Sequence, residues 1–588
     1  MEHSFKKLHK LSAFAAYNGL EKRQTQIETR AIETNDGKKN KKRKPKRVSF
    51  VNTPIFRPEY DEGQDVDWTI LDDDDEEIPQ LIPITIDEEA SKRKKQKTSH
   101  FDHDREAVTN GLSGQRNKRS NRHKSQASSA SSTETGERKG VWKFLNTLTY
   151  SSSANDARAA FAWLIAPMTI EHFFEQYWEK NPMFLRRDDP EYYNGLFSSD
   201  ELDSILKEHD IQYTVNLDIT KYENGQRQTL NPTGRAYAST VWDFYKDGCS
   251  IRMLNPQTYS EAVWKLASTL QEFFGTFVGA NVYLTPANTQ GFAPHYDDIE
   301  AFVVQLEGVK TWRVYKPLND EETLPRFSSR NYKPGEVGDP MLIVDLNPGD
   351  VMYFPRGFIH EAVASKDQHS LHITISATQR NTFGEFLQIL MAHAVETAML
   401  ENVEYRRALP LNYMEIAGTV NMDQKKKGRK DFLATVKKLM GGLLEYGTSL
   451  IDGAVDQMVK EKFMQDALPP CLTDEEKQGC IVGRRKDAPA VFKDDTKVRL
   501  LRKHCLRLVM ENESDISVYY NTENSRVYRE KPLQKFAIDG DLAPGIDYLV
   551  EMYPKYVTVK DLPLDTTTEK IRICQLLYEK CLLMTESV

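Results

Sequence analysis

The chain has 588 residues, enough for several domains with sizeable cores, and its formal net charge is -8 at pH 7. Its six cysteines are scattered without a Cys-x-x-Cys pair, which argues against a disulfide framework or a structural zinc site and favours a reducing compartment. No stretch approaches about 18 consecutive apolar residues, and the first residues contain no apolar core. Neither a membrane span nor a secretory signal is therefore expected.

Residues 1–138 are predicted to form a disordered, charged tail. Basic clusters at 38–47 and 92–97 flank an acidic run at 72–77, and 125–135 consists almost entirely of Ser, Ala and Thr. Such a composition cannot bury enough apolar surface to offset its chain entropy. A solvated, charge-balanced tail is the simpler interpretation, but two basic clusters in a chain without disulfides favour nuclear import.

A short motif inside this tail resembles the RVxF docking peptide of protein phosphatase 1. Arg47 supplies the basic residue, and Val48 and Phe50 stand two positions apart. A peptide added as a β-strand could place these alternate side chains in two pockets. The motif predicts phosphatase docking, although so short a pattern also recurs by chance.

Folded structure is expected from about residue 139. Residues 161–165 and 169–178 have helical apolar spacing, with Thr169 as the N-cap. Short apolar runs separated by Gly, Pro and Asn then predict strands at 280–284, 301–305, 311–315, 341–345, 351–354 and 372–376. Many short strands with turn signals between them are typical of a double-sheet barrel.

Helices are predicted directly after the barrel, and the last ninety residues are predicted to mix helix and strand. Residues 383–402, 430–446 and 451–467 have helical patterns, and a three-helix segment after a barrel could pack on itself or on a second copy. Residues 517–519 and 527–528 flank a hairpin signal at 521–524, and a last helix is expected from 565 to 580. Helices plus one hairpin in about ninety residues indicate a winged-helix module.

The strongest chemical signal is His295-x-Asp297 followed by His360. Two imidazoles and one carboxylate are the facial ligand set that holds non-haem Fe(II) and leaves positions open for substrate and oxygen. The same spacing recurs at His100-Phe101-Asp102 inside the charged tail, so context decides. His295 and Asp297 precede an apolar, β-prone run and can share one face, while Asp298 would point the other way. His360 is expected in the loop after strand 351–354.

Two interpretations of this pattern remain open from the residues alone. By spacing, the histidines could equally be satisfied core residues. Lys310 favours a metal site, because a lysine emerging from a barrel strand near a metal could pair with the distal carboxylate of an organic acid. The simpler interpretation of Lys310 is an exposed strand cation.

Residues of about 165–380 resemble the jumonji-C oxygenases. The match is closest to the ribosomal oxygenases, also called bifunctional lysine demethylase and histidyl hydroxylase of nucleolar type. The matching strings are YWEKNP at 177–182, NVYLTP at 281–286, HYDDIE at 295–300, QLEGVKTWR at 305–313, PRGFIH at 355–360 and HITIS at 372–376. Their order and spacing cover the whole expected barrel.

The resemblance implies a fold and a set of site residues. The fold is a mainly β double-stranded β-helix (cupin) barrel at 139–380, a helical dimerisation segment at 381–470 and an α/β winged helix at 471–588, after a disordered tail at 1–138. His295, Asp297 and His360 would be the catalytic Fe(II) ligands. Lys310 would bind 2-oxoglutarate, with O2 as the second cosubstrate. The remaining implied residues are Tyr283, Thr374, Asn281 and Asn331 near the cosubstrate, and Arg252 and Ser376 at the peptide substrate.

The resemblance also implies a function and a location. It indicates a nuclear protein, in nucleolus and nucleoplasm, that hydroxylates a histidine of a large-subunit ribosomal protein. The family also includes demethylation of histone H3 at lysine 4 and lysine 36, with transcriptional repression as the consequence, and a homodimer. The alternative is a non-catalytic chromatin or ribosome-assembly adaptor, which would need no iron ligands. A DNA-binding regulator acting through the winged helix is the weaker third reading, since that part of the chain is not strongly basic.

Overall fold

A computed structural model describes residues 140–422, 425–484, 491–512 and 515–586. The predicted tail at 1–138, including its basic clusters and its phosphatase-docking motif, lies outside these described residues. Within the described ranges, no helix has the length and apolar character needed to pass through a bilayer.

Helices and strands alternate in the first part of the described chain, and helices dominate its middle. The α-helices are α1 (Val141–Leu145), α2 (Ser153–Ile165), α3 (Ile170–Gln176), α4 (Ser199–Glu208), α5 (Ala238–Lys246), α6 (Glu261–Phe274), α7 (Phe383–Glu401), α8 (Tyr413–Ile416), α9 (Arg429–Ser449), α10 (Ile451–Met458), α11 (Asp474–Gly479), α12 (Ala543–Met552) and α13 (Thr567–Glu579). The strands are β1 (Met183–Leu185), β2 (Leu217–Glu223), β3 (Gln226–Thr229), β4 (Ser250–Leu254), β5 (Gly279–Thr285), β6 (Glu300–Gly308), β7 (Lys310–Tyr315), β8 (Leu342–Leu346), β9 (Val351–Phe354), β10 (Ile359–Ala364), β11 (Ser370–Ala377), β12 (Lys497–Leu500), β13 (Leu506–Asn512), β14 (Asp515–Tyr520), β15 (Gln534–Ile538), β16 (Val557–Thr558) and β17 (Leu583–Thr585).

Two antiparallel sheets form the barrel. The large sheet has the order β1-β9-β6-β11-β5-β4-β2-β3, and the small sheet has the order β10-β7-β8. All six barrel strands predicted from apolar runs are present as β5, β6, β7, β8, β9 and β11. Gly308 turns the chain from β6 into β7 at a φ of 58°, and a Cβ there would lie 1.8 Å from the carbonyl oxygen of His369, so only glycine fits.

The large sheet is covered on both faces. Between the two sheets, Ala301 and Val303 of β6 pack against Trp312 and Val314 of β7 and Met352 of β9. The other face of the large sheet packs on the helices before and beside it, including α2 and α6. The predicted cap of α3 is confirmed, since the Thr169 hydroxyl accepts a hydrogen bond from the backbone N–H of His172. The barrel therefore holds its strands rigidly on one side and leaves an interior between the sheets.

Two expectations about local structure are wrong. His360 lies in strand β10, opposite Val314 of β7, and not in a loop. The run Ile359–Ala364 contains Glu361 and two alanines, which have weak β propensity, so the sequence does not indicate a strand here. Residues 527–528 form no strand; β14 pairs instead with β15, in the register Ile516 opposite Ile538.

The C-terminal third has the predicted helical segment and winged helix. The segment consists mainly of α7, α9 and α10, and α10 continues as a π-helical turn over Val459–Met464. The last helix begins at a capping box in which Thr566 and Glu569 satisfy each other's backbone N–H groups. Strands β12–β17 and helices α12 and α13 enclose a hydrophobic core of their own.

Candidate metal centre

Three potential ligands converge at one end of the barrel. His295 forms an isolated antiparallel bridge with His360, in which each backbone N–H donates to the other residue's carbonyl oxygen. Asp297 follows just before β6 begins. Its two oxygens lie 3.8 Å from His295 Nε2 and 3.7 Å from His360 Nε2. One ligand atom from each of the three residues lies within 4.8 Å of the others, close enough for a single ion to contact all three.

Hydrogen bonds to backbone carbonyl oxygens fix the orientation of both imidazole rings. His295 Nδ1 lies 2.8 Å from the carbonyl oxygen of Ala293, and His360 Nδ1 lies 3.1 Å from that of Phe358. A carbonyl can only accept, so each Nδ1 carries the proton and each Nε2 presents a lone pair toward Asp297. Burial, and then the nearby His295, lower the pKa of His360 to about 4, which keeps this ring neutral at physiological pH. A neutral imidazole is the form that binds a metal.

The donor set fits a divalent transition metal. Two imidazole nitrogens and one carboxylate on one side of an ion form the facial triad typical of non-haem Fe(II) oxygenases. The rings of Phe354 and Trp312 pack against His360, at centroid distances of 4.4 and 6.0 Å. They shield the ring from water, while His295 and Asp297 remain partly exposed.

Lys310 is a buried cation inside the barrel. It begins β7, is only 4% exposed, and donates a hydrogen bond of 3.0 Å to the hydroxyl of Thr285 on β5. Among the described residues, no carboxylate lies within ion-pairing distance of its Nζ, and burial lowers its pKa to about 7. A buried ammonium without an anionic partner is costly, so the interior fits a ligand that brings a carboxylate. The simpler alternative for Lys310, an exposed strand cation, is therefore wrong.

Cross-strand pairs line the interior beside Lys310. On β11, His372 and Thr374 point to one face, and they lie opposite Tyr283 and Asn281 of β5. The rings of Tyr283 and His372 stack at 4.8 Å with an angle of 6° between their planes. Burial raises the pKa of Tyr283, so its hydroxyl stays protonated and can donate to an anion. The sequence-predicted residues Tyr283, Thr374 and Asn281 therefore share one wall with the Lys310 pocket.

The other predicted residues lie further out. Arg252 of β4 stands opposite Tyr283 and forms an ion pair with the buried carboxylate of Asp218. Ser376 shares a strand face with Thr374, one pair further along β11. Asn331 is exposed on the loop before β8, and the neighbouring Tyr332 N–H donates to the carbonyl oxygen of Pro294, beside the metal-ligand segment.

Sequence reasoning did not single out two residues of this pocket. Thr285 is the hydrogen-bond partner of Lys310, and Nδ1 of the buried His372 has no hydrogen-bond partner among the described residues. The period-two alternation through His372, Thr374 and Ser376 was the available signal, since all three must share a face. Asp298 points away from the cluster, as predicted, and accepts a hydrogen bond of 2.9 Å from the hydroxyl of Ser328.

Comparison with known proteins identifies the family. Residues 252–385 match the JmjC domain, and residues 468–587 match the C-terminal winged-helix domain of ribosomal oxygenase 1. Ribosomal oxygenase 1 of Danio rerio is 47% identical over 443 residues, which span 74% of this chain and 81% of the relative. The chain belongs to the ribosomal oxygenase family. The bifunctional lysine-specific demethylase and histidyl-hydroxylase NO66 of Branchiostoma floridae is 45% identical over 74% of this chain and 68% of its own length.

A looser structural similarity accompanies the family match. The crystal structure of Escherichia coli ribosomal oxygenase YcfD aligns with a TM-score of 0.40 and 16% identity, over 71% of this chain and 98% of that protein. Family membership makes this ribosomal oxygenase an Fe(II)- and 2-oxoglutarate-dependent enzyme, as the sequence predicted. The expected barrel and winged helix are likewise confirmed.

Proposed function

We propose that His295, Asp297 and His360 hold the Fe(II) of this oxygenase and that Lys310 binds the distal carboxylate of 2-oxoglutarate. The observation that carries this assignment is the pairing of two features in one interior. Two imidazoles and one carboxylate cluster at its mouth, and deeper inside lies a buried ammonium that pairs with no carboxylate of the described residues. Together they provide the two groups that would bind the two ends of 2-oxoglutarate, a metal for the keto acid end and a cation for the distal carboxylate.

The chain's own residues prepare the site. Bound iron supplies the oxidation of a substrate C–H bond at the expense of 2-oxoglutarate and O2. The carbonyls of Ala293 and Phe358 hold the two imidazoles in the metal-binding tautomer. Thr285 holds the Lys310 ammonium in place. The Tyr283 hydroxyl, on the same wall, would donate to the distal carboxylate of bound 2-oxoglutarate. The stacked rings of Tyr283 and the buried His372 form part of the wall of this pocket.

The substrate is proposed to be a protein side chain. The names of relatives include both histidyl-hydroxylase and lysine-specific demethylase. Oxygen inserted at a histidine β-carbon gives a stable alcohol, whereas oxygen inserted at a lysine N-methyl group releases formaldehyde, so one metal site serves both outcomes. We favour hydroxylation of a ribosomal protein, because the match extends through the winged helix named for ribosomal oxygenase 1. Demethylation of histone H3 at lysine 4 and lysine 36, with transcriptional repression, is the second candidate.

Mass spectrometry of candidate peptides tests the assignment. Purified protein with Fe(II), 2-oxoglutarate and O2 is incubated with histidine-bearing ribosomal peptides and methylated histone H3 peptides. A gain of one oxygen supports the hydroxylase, and loss of methyl groups supports the demethylase. His360→Ala should abolish either change, and His369→Ala, outside the cluster, is the matched control. No peptide change and no succinate above the His360→Ala level would favour the adaptor.

A homodimer is proposed for the helical segment. Six of its apolar side chains are at least 66% exposed in the single chain: Phe383, Leu400, Leu411, Met414, Val420 and Leu444. Apolar surface of this extent is more typical of an interface than of a monomer surface, and an isologous two-fold contact is the default arrangement. Light scattering should give twice the chain mass of 67.6 kDa. The paired change Leu400→Glu and Leu444→Glu should give the monomer mass.

We propose two functions for the N-terminal tail, nuclear targeting and phosphatase docking. The basic clusters at 38–47 and 92–97 are proposed to direct the protein to the nucleus and nucleolus. Arg47, Val48 and Phe50 are proposed to dock protein phosphatase 1. Replacing Val48 and Phe50 with Ala should abolish capture of purified phosphatase, and a matched change of Val51 and Phe56 should not.

A further inference from the structure

The metal cluster has a buried side and an open side. His360 and Lys310 are buried, at 6% and 4% exposure, whereas His295, Asp297 and Tyr283 are partly exposed. The cosubstrate pocket around Lys310 therefore lies inward of the metal ligands. A peptide substrate has to approach from the open side.

Phe292 stands at this open side. Its ring centroid lies 6.2 Å from that of His295 and 5.4 Å from that of Tyr283, which it meets edge-on. Two guanidinium groups lie against the same ring, with Arg227 at 4.6 Å and Arg252 at 5.7 Å from its centroid. Cation–π attraction to the shared ring helps to orient both guanidiniums, and a guanidinium stacked on a ring can still donate hydrogen bonds in its own plane.

The hairpin that carries Arg227 is coupled to the metal-ligand segment. The backbone N–H of Tyr222 on β2 donates to the carbonyl oxygen of Gln290 at 3.0 Å. The Gln290 side chain in turn donates to the carbonyl oxygen of Phe292 at 2.8 Å. Arg227 lies opposite Tyr222 on β3, the last strand of the large sheet. Arg227 is therefore held at a fixed position relative to the segment that carries His295, on a sheet edge along which an extended peptide can run.

We propose that Arg227 contacts the peptide substrate, donating hydrogen bonds from its guanidinium to main-chain carbonyl oxygens next to the target residue. This inference rests on the proposed peptide oxygenase function. A guanidinium has five N–H donors, so it can hold its neighbours and still donate to a ligand. Its stacking on Phe292 means that little side-chain freedom is lost when the peptide binds. Main-chain acceptors make this contact independent of the sequence around the target.

Peptide binding to the full chain tests the inference without turnover. Fluorescein-labelled ribosomal and histone peptides are titrated by fluorescence anisotropy against protein with Mn(II) and 2-oxoglutarate in the absence of O2. Arg227→Met keeps an unbranched chain over Phe292 but removes the donors, and it should raise the peptide Kd about fivefold or more. Arg227→Lys keeps the charge without the planar fork and should raise it by roughly two- to threefold. Arg235, which lies over Tyr237 at 5.1 Å and pairs with Asp210, is the matched control, and Arg235→Met should bind like the wild type.

The Mn(II) affinity of each variant separates substrate contact from structural support. If Arg227 only supports the Phe292 segment, then Arg227→Met weakens Mn(II) and peptide in parallel, which would overturn the inference. Equal peptide affinity of Arg227→Met and wild type, or no peptide binding by wild type, would also overturn it. Peptides that bind normally but gain no oxygen and lose no methyl group would overturn the proposed function and leave the role of Arg227 supported.

Discussion

At the scale of single residues, Lys310 is a cation placed where the fold alone would favour an apolar side chain. It is 4% exposed, and burial lowers its pKa to about 7. Lys310→Met should therefore raise the free energy of unfolding of the cosubstrate-free protein, on the order of 1–3 kcal/mol at neutral pH, while abolishing 2-oxoglutarate binding. Urea unfolding and calorimetric titration measure the two effects. The exposed Lys316 gives the control, because Lys316→Met should change neither. Joint loss of stability and binding would contradict the ligand role.

The lowered pKa of Lys310 also predicts how 2-oxoglutarate affinity depends on pH. Only the protonated ammonium pairs with the cosubstrate carboxylate, so affinity should be constant below about pH 7. Above that value, binding requires uptake of a proton, and affinity should fall by up to about tenfold per pH unit. Lys310→Arg stays charged throughout and should flatten the profile between pH 6.5 and 8.5. A flat wild-type profile over this range would show that Lys310 remains protonated without the cosubstrate.

At the scale of elements, Gly291 sets the position of the segment that leads to His295. A Cβ at this glycine would lie 2.4 Å from Ser250 Oγ and 2.5 Å from Ser250 Cβ on β4. Gly291→Ala should push the segment off β4 and weaken Mn(II) binding at least tenfold, with a loss of about 2 kcal/mol or more in stability. Gly338→Ala is the control, since no atom of the described residues lies within 4 Å of its added Cβ. Adding Ser250→Gly to Gly291→Ala should restore Mn(II) affinity; failure to restore it would contradict the steric explanation.

Some of these elements can be predicted from the sequence and others cannot, because only some of the strands have a recognisable apolar pattern. Strand β9 is visible because its apolar run is continuous and bounded by turn residues, and β11 is visible because its apolar residues alternate with polar ones. Strand β10 is not, since Glu361 and alanines give no β signal, and it forms because its backbone pairs with β7. The His295-x-Asp297 pair is local in sequence, and the structure brings it together with the distant His360. The contact of Lys310 with Thr285 joins residues 25 apart on different sheets, so no local pattern could predict it.

At the scale of the whole described chain, the winged helix is joined to the oxygenase part through buried polar contacts. The Gln271 side chain of α6 donates to the carbonyl oxygen of Leu468 and accepts from its N–H, both at 2.9 Å. Arg526 donates to the carbonyl oxygen of Gln257 and lies over the ring of Trp264 at 4.5 Å. Directional contacts of this kind fix one relative arrangement more strictly than apolar contact does. A partner bound to the winged helix would thus stand at a set position relative to the metal.

Arg502 makes the contacts expected to matter most, because its guanidinium is fully buried among groups of the oxygenase part and of the winged-helix part. It donates to both oxygens of Glu476 in α11, at 2.8 and 2.9 Å, and lies 3.6 Å from Glu272 of α6. Its guanidinium carbon is 3.5 Å from the ring centroid of Tyr150, which precedes α2. Arg502→Met leaves two buried carboxylates without their cation, and such a loss typically costs about 3–5 kcal/mol.

The predicted result for Arg502→Met is therefore a large loss of stability that also uncouples the two parts. Urea unfolding should show a lower midpoint, and trypsin should cut between the oxygenase part and the winged helix before either unfolds. Arg529→Met removes a half-exposed partner of Asp466 and should cost under about 1 kcal/mol. Adding Glu476→Gln to Arg502→Met should recover part of the loss, because one unpaired buried charge disappears. A loss no larger than that of Arg529→Met would mean that apolar contacts alone hold the winged helix on the barrel.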